Sequence, residues 1–94
     1  MTRIDFYLLS SDQLATRLQY ACRLAHKAWQ KGHRVYLHCQ DETAAEQLGF
    51  FSRFSRLAEI VVEQDPVRVP ARERFRFYRE RGYPLQTHQI RTAG

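Results

Sequence analysis

RIDFYLLSSDQLATRLQYACRLAHKAWQKGHRVYLHC, residues 3–39, is the stretch from which the fold is read. In RIDFYLL (3–9), Ile4, Phe6 and Leu8 alternate with Asp5, Tyr7 and Leu9, and both sets are largely apolar, as in an interior strand covered on both faces. Ser10 to Gln13 follow with capping hydroxyls and a glutamine three residues after Ser10, the spacing of a capping box. Leu14, Leu18, Ala21, Cys22, Ala25 and Trp29 then recur at helical period, one apolar stripe of the kind a helix turns toward a core. Gly32 stands where a C-terminal cap belongs. Residues 34–39 read as a second strand with Val35, Leu37 and Cys39 on one face. A helix between two strands makes them parallel with a right-handed crossover, so the chain opens on a βαβ unit.

Downstream, DETAAEQL (41–48) has acidic residues in its first turn and Ala44, Ala45 and Leu48 behind them, which predicts a short helix. Phe50, Phe51, Phe54, Leu57 and Ala58 fall at helical offsets directly after Gly49. Two helices in succession are unexpected in an alternating α/β chain. Without a strand between them the sheet has three strands, 3–9, 34–39 and 59–64 (EIVVEQ); either material is missing or the sheet is minimal. Asp65 to Pro70 reads as a proline-marked loop, Pro70 as the first position of a final helix over 71–81, and Gly82 as its close. The tail, 82–94, is polar and expected to be partly frayed. The predicted class is α/β, a three-layer Rossmann-like, mostly parallel sheet with helices on both faces, in one domain over 1–94.

Composition narrows what such a domain can do. Ninety-four residues bury about 60 to 65% of their unfolded surface, which argues against a deep enzyme cleft. No apolar run approaches the roughly 18 residues of a membrane span, so no membrane partner is expected. Met1–Ser11 carries Arg3 and Asp5 and no small-residue cleavage site, which argues against a signal peptide and for the cytoplasm. Cys22 and Cys39 are too few for a disulfide scaffold and fit a reducing compartment. The net charge of +5 is unevenly placed: residues 1–49 hold six Lys+Arg and five Asp+Glu, residues 50–94 nine and five. Thirteen of the 15 cations are arginine, whose planar fork pairs two-pronged with carboxylate or phosphate. The partner is an anion with shape, either an acidic peptide or a phosphate backbone.

No cofactor is expected. The turn LLSSDQL after the first strand has no glycine to let the backbone approach a pyrophosphate, and there is no Walker loop. Cys22 and His26 one helical turn apart, with His38 and Cys39, could be imagined around zinc, but neighbours on a strand point to opposite faces, so no metal is expected. Cys39 at a strand's carboxyl end is a conceivable nucleophile without an identified base.

The informative segment is RVPARERFRFYRERGY (68–83). On a helix Arg72, Arg76 and Arg79 occupy i, i+4 and i+7, with Arg68 before them, and Phe75, Tyr78 and Gly82 form the next strip. Such a ridge could clamp a ligand both greasy and negatively charged. Equally, Phe75 and Tyr78 could anchor the helix to the sheet while the arginines form a solvated face paired with Glu73 and Glu80. An exposed arginine contact is worth about 0.2–1 kcal/mol and burial of an apolar side chain about 1.5–3, whereas micromolar affinity requires about 8. A peptide target therefore needs an apolar anchor as well as acids, and a short acidic tail with an apolar end supplies both.

TRIDFYLL, ACRLAHKAWQKGHRVYLHCQDETAAEQL, FFSRFSRLAEIV and ARERFRFYRERGY together resemble the chi subunit of bacterial DNA polymerase III holoenzyme, across most of the chain. The resemblance implies a mononucleotide-binding-like α/β fold not known for catalysis. It implies two partners, the psi subunit, which joins chi to the clamp loader, and the acidic C-terminal tail of single-stranded-DNA-binding protein. Single-stranded DNA is then met mainly indirectly. The family's tail-binding places fall on Arg72, Phe75 and Arg76, with Arg68 nearby; Arg79 joins them from the ridge. The family carries several tens of further residues between the counterparts of Leu48 and Phe50, including strands, and this chain does not. The reading is a non-catalytic replication accessory subunit. Its rivals are a module that binds nucleic acid directly through the same arginines, with Phe75 or Tyr78 stacking on bases, and a small enzyme using Cys39.

Overall fold

The computed structural model describes residues 2–38 and 55–91. Its elements, in chain order, are β1 (Arg3–Leu9), α1 (Leu14–Gln30), β2 (Val35–His38), β3 (Arg56–Val61), α2 (Asp65–Glu80) and β4 (Leu85–Ile90). The sheet order is β2-β3-β1-β4 and every pairing is parallel. Central β1 aligns Ile4 with Leu57 and with Leu85, and Phe6 with Glu59 and with Thr87.

Alternation along β1 divides the faces. Phe6 meets the Phe75 ring of α2 edge-on at 5.2 Å, while Tyr7 meets Tyr20 of α1 at 5.5 Å. The helices thus cover opposite faces, giving the expected three-layer α/β arrangement. The core is built from Ile4, Phe6, Leu57, Ile60, Val62, Val67 and Tyr78, all at most 3% exposed. α1 lies over β2 and β3, and Arg17 reaches past it to donate Nε to the Ile60 carbonyl at 2.8 Å.

Five expectations are corrected. β3 begins at Arg56, so Leu57 and Ala58 belong to a strand and not to a helix. They are 1% and 2% exposed, and residues 57–62 are buried without interruption, as both-sided cover demands. α2 begins at Asp65: Pro66, whose fixed φ suits a first turn, is the start signal, and Pro70 lies inside the helix. The sheet has four strands, because residues 85–90 of the supposed frayed tail form β4, an edge strand held to β1 by backbone bonds such as Ile4 N to Pro84 O and Ser10 N to Ile90 O, both 2.9 Å. The expected capping box does not form: Gln13 is the N-cap of α1, with no side-chain cap bond, and Ser11 Oγ instead accepts the Gln13 N–H. Finally, the α1 stripe is not buried as a unit. Ala21 is, but Leu14, Leu18, Cys22, Ala25 and Trp29 are exposed. Gly32 and Gly82, at φ of 72° and 78°, end the helices where left-handed backbone is needed. Cys39, the 41–48 helix and Phe50–Phe54 lie outside the described residues.

Candidate functional site

Val67, Ala71, Arg74 and Tyr78 recur at offsets of four, seven and eleven and form the buried face of α2. One residue further on at each step is the neighbouring ridge, Arg68, Arg72, Phe75 and Arg79. This ridge flanks the helix–sheet seam, half in contact with protein and half open to water.

Each member is differently held. Arg68 is partly exposed and donates Nη2 to Asp65 Oδ1 at 2.6 Å, an i,i+3 pair inside the first turn of the helix. Arg72 is exposed, Phe75 half-buried against Phe6, and the Arg79 guanidinium sits 6.0 Å from the Phe75 ring centroid, at the outer reach of a cation–π contact. Arg76 is exposed. Between α2 and the carboxyl ends of β1 and β3 lies a cavity of about 340 Å³, lined by Phe6, Leu8, Ala71 and Phe75 together with Arg68 and Arg72. Open α/β sheets bind ligands outside the carboxyl ends of their strands, and this volume falls at the low end of ligand pockets. Arg68, Arg72 and Phe75 meet at this cavity; Arg76 and Arg79 do not line it. An apolar floor beside two guanidinium groups can take a small apolar group attached to a carboxylate.

Arg74, absent from the predicted ridge, is the best-held arginine. Fully buried, it grips fully buried Glu59 two-pronged, Nε to Oε2 at 2.7 Å and Nη2 to Oε1 at 2.9 Å, while the Tyr78 hydroxyl donates to Oε2 at 2.9 Å. Its Nη1 has no partner among the described residues. The triad fixes the rotation of α2 and so the aim of the ridge. Tyr78, wholly enclosed, cannot stack on a base. The signal was available: Arg74 shares a stripe with Val67, Ala71 and Tyr78, and Glu59 interrupts an otherwise apolar strand.

On the opposite face Asp5, nearly buried, accepts Arg3 Nη2 at 3.3 Å and stands 3.0 Å from His88 Nε2, with the Tyr7 ring stacked on His88 at 4.8 Å. Burial pushes the Tyr7 phenol above its ordinary pKa of 10, the Asp5 carboxylate adds to this, and burial likewise raises Tyr20. Both stay protonated at neutral pH, so this cluster holds no phenolate base; it ties edge strand β4 to β1. Cys22 is an exposed thiol, and His26 stacks beside Trp29. Among the described residues no three His, Cys, Asp or Glu gather where they could hold a metal, and no helix is long and apolar enough to cross a membrane.

A family model described as DNA polymerase III chi subunit, HolC, matches residues 1–50 and 48–86. The chain is 37% identical over 139 residues to the DNA polymerase III subunit chi of Pseudomonas aeruginosa, an alignment spanning 96% of this chain and 98% of that one. An alignment longer than these 94 residues means that an internal stretch of the relative has no counterpart here, and the two-part family match locates the join at residues 48–50. No solved structure matches the chain.

Proposed function

The chain belongs to the DNA polymerase III chi subunit family, and from that premise we propose that it serves as a non-catalytic accessory subunit that captures the acidic C-terminal tail of single-stranded-DNA-binding protein. Through the psi subunit it ties that protein to the clamp loader in the cytoplasm, meeting single-stranded DNA mainly through the protein that coats it.

The observation that carries this reading is the cavity beside α2, where Arg68 and Arg72 stand next to an apolar wall containing Phe75. A tail with an apolar last residue buries it there for about 1.5–3 kcal/mol, while its terminal and side-chain carboxylates meet the guanidinium forks. Arg76 and Arg79, outside the cavity, steer the approach and raise the encounter rate more than the final affinity. The cavity supplies the apolar anchor, which surface ion pairs alone cannot replace.

Fluorescence polarisation with a labelled acidic peptide ending in an apolar residue tests this at low salt. The Arg72→Ala/Arg76→Ala double variant weakens binding by about tenfold or more and flattens its salt dependence, with Arg72 the larger contributor. Titrations that coincide with those of the parent chain defeat the assignment. Binding to bare oligonucleotide that grows with length, with a log–log salt slope of several units, favours direct nucleic-acid binding instead.

A further inference from the structure

A second cavity, of about 160 Å³, opens on the α1 side of the sheet, at the amino ends of β2 and β3 and beside the C-terminal turns of α1. Lys27 and Lys31 of the helix, His33 of the following loop and Arg56 at the first position of β3 line it. Among the described residues none of these three cations has an ion-pair partner. The end of the helix is capped as well: the N–H groups of Lys31, Gly32 and His33 bond the Lys27, Trp29 and Ala28 carbonyls, which would otherwise repel an anion. Pockets for drug-sized ligands start at about 300 Å³, so this one is sized for a small ion. Asp5, 5% exposed, also stands in its wall. Arg3 Nη2 at 3.3 Å and His88 Nε2 at 3.0 Å both meet Asp5 Oδ1, so Oδ2 has no partner among the described residues.

We propose that this cavity binds inorganic phosphate in its hydrogen phosphate form. Lys27, Lys31 and Arg56 supply charge-assisted donors to the bare oxygens. The Asp5 carboxylate repels a fully deprotonated anion, yet it accepts a hydrogen bond from an anion that keeps a proton. Hydrogen phosphate keeps one at neutral pH. Sulfate keeps none, and a phosphate monoester, whose last ionisation lies at about 6, has lost nearly all of its own by about pH 7.5. Asp5 thereby turns a site for any oxyanion into one that reads the P–OH group. Tyr7, in the same wall, is held protonated by burial and adds a neutral donor rather than a second negative charge. The site lies across the sheet from the α2 cavity and stands whatever that cavity takes.

Nuclear magnetic resonance titration of the isotope-labelled full chain tests this with sodium phosphate, sodium sulfate and a nucleoside monophosphate, at constant ionic strength and about pH 7.5. Phosphate is expected to give saturable amide shifts at residues 27–33 and 56–58, with sulfate and the monophosphate binding about tenfold or more weakly. The Lys27→Gln/Lys31→Gln variant, changed at two exposed positions, keeps the circular dichroism of the parent chain and weakens phosphate by about tenfold. Asp5→Asn brings phosphate and sulfate to within about twofold of each other, since an amide N–H serves either anion. Should that variant fail to fold, the lysine pair and the order of anions on the parent chain decide the matter. The proposal is overturned if sulfate or the monophosphate binds the parent chain as tightly as phosphate, or if the lysine variant titrates like the parent. It is equally overturned if phosphate gives no saturable shift, or if the shifts gather at Arg68 and Arg72 instead.

Discussion

Arg74 and Glu59 decide more about this protein than the arginines that advertise themselves on its surface. Both are fully buried, and their two-pronged contact, with the Tyr78 hydroxyl on the same carboxylate, leaves the pair balanced only while both charges remain. Glu59→Gln strands a guanidinium charge in the core and is expected to cost about 3–5 kcal/mol, read as a lowered urea midpoint. The double variant Glu59→Leu/Arg74→Met recovers most of that loss, because removing both charges removes the desolvation penalty with the pairing. A double variant as unstable as the single one would show that the bonded pair itself, and not the stranded charge, holds α2 to the sheet. Arg74 lies among thirteen arginines, and only its place in the stripe with Val67 and Tyr78 distinguishes it from its solvated neighbours.

Among the elements, α2 shows where local signals compete. Pro70, which lacks an N–H to bond the Pro66 carbonyl, reads as a helix start, yet the helix runs through it because Val67 and Ala71 on either side are buried. Pro70→Ala is accordingly expected to stabilise the chain by about 1–3 kcal/mol, seen as a raised Tm. No change in Tm would mean that the ring's rigidity in the unfolded chain offsets the missing bond. β1, α1 and β2 were legible because hydrophobic period and length agree there. β3 was misread at its start because Phe54, Leu57 and Ala58 also match a helical spacing. β4 was not legible at all: as an edge strand it keeps Gln86, Thr87 and Gln89 exposed, and its pairing with β1 has no trace in a local pattern. The outward aim of the α1 stripe was hidden for a related reason, since an apolar stripe has the same period whether it faces the core or the surface.

At the scale of the molecule, the sheet separates two surfaces: the α2 cavity, where Arg68, Arg72 and Phe75 meet, and the exposed apolar stripe of α1. The order β2-β3-β1-β4 also bears on how the chain is born. β1, destined for the interior, is translated before both of its neighbours, residues 56–61 and 85–90. Until residues 56–61 follow, the nascent β1 carries two naked edges, and until residues 85–90 follow it still carries one, an aggregation hazard that lasts as long as the partner strands are missing.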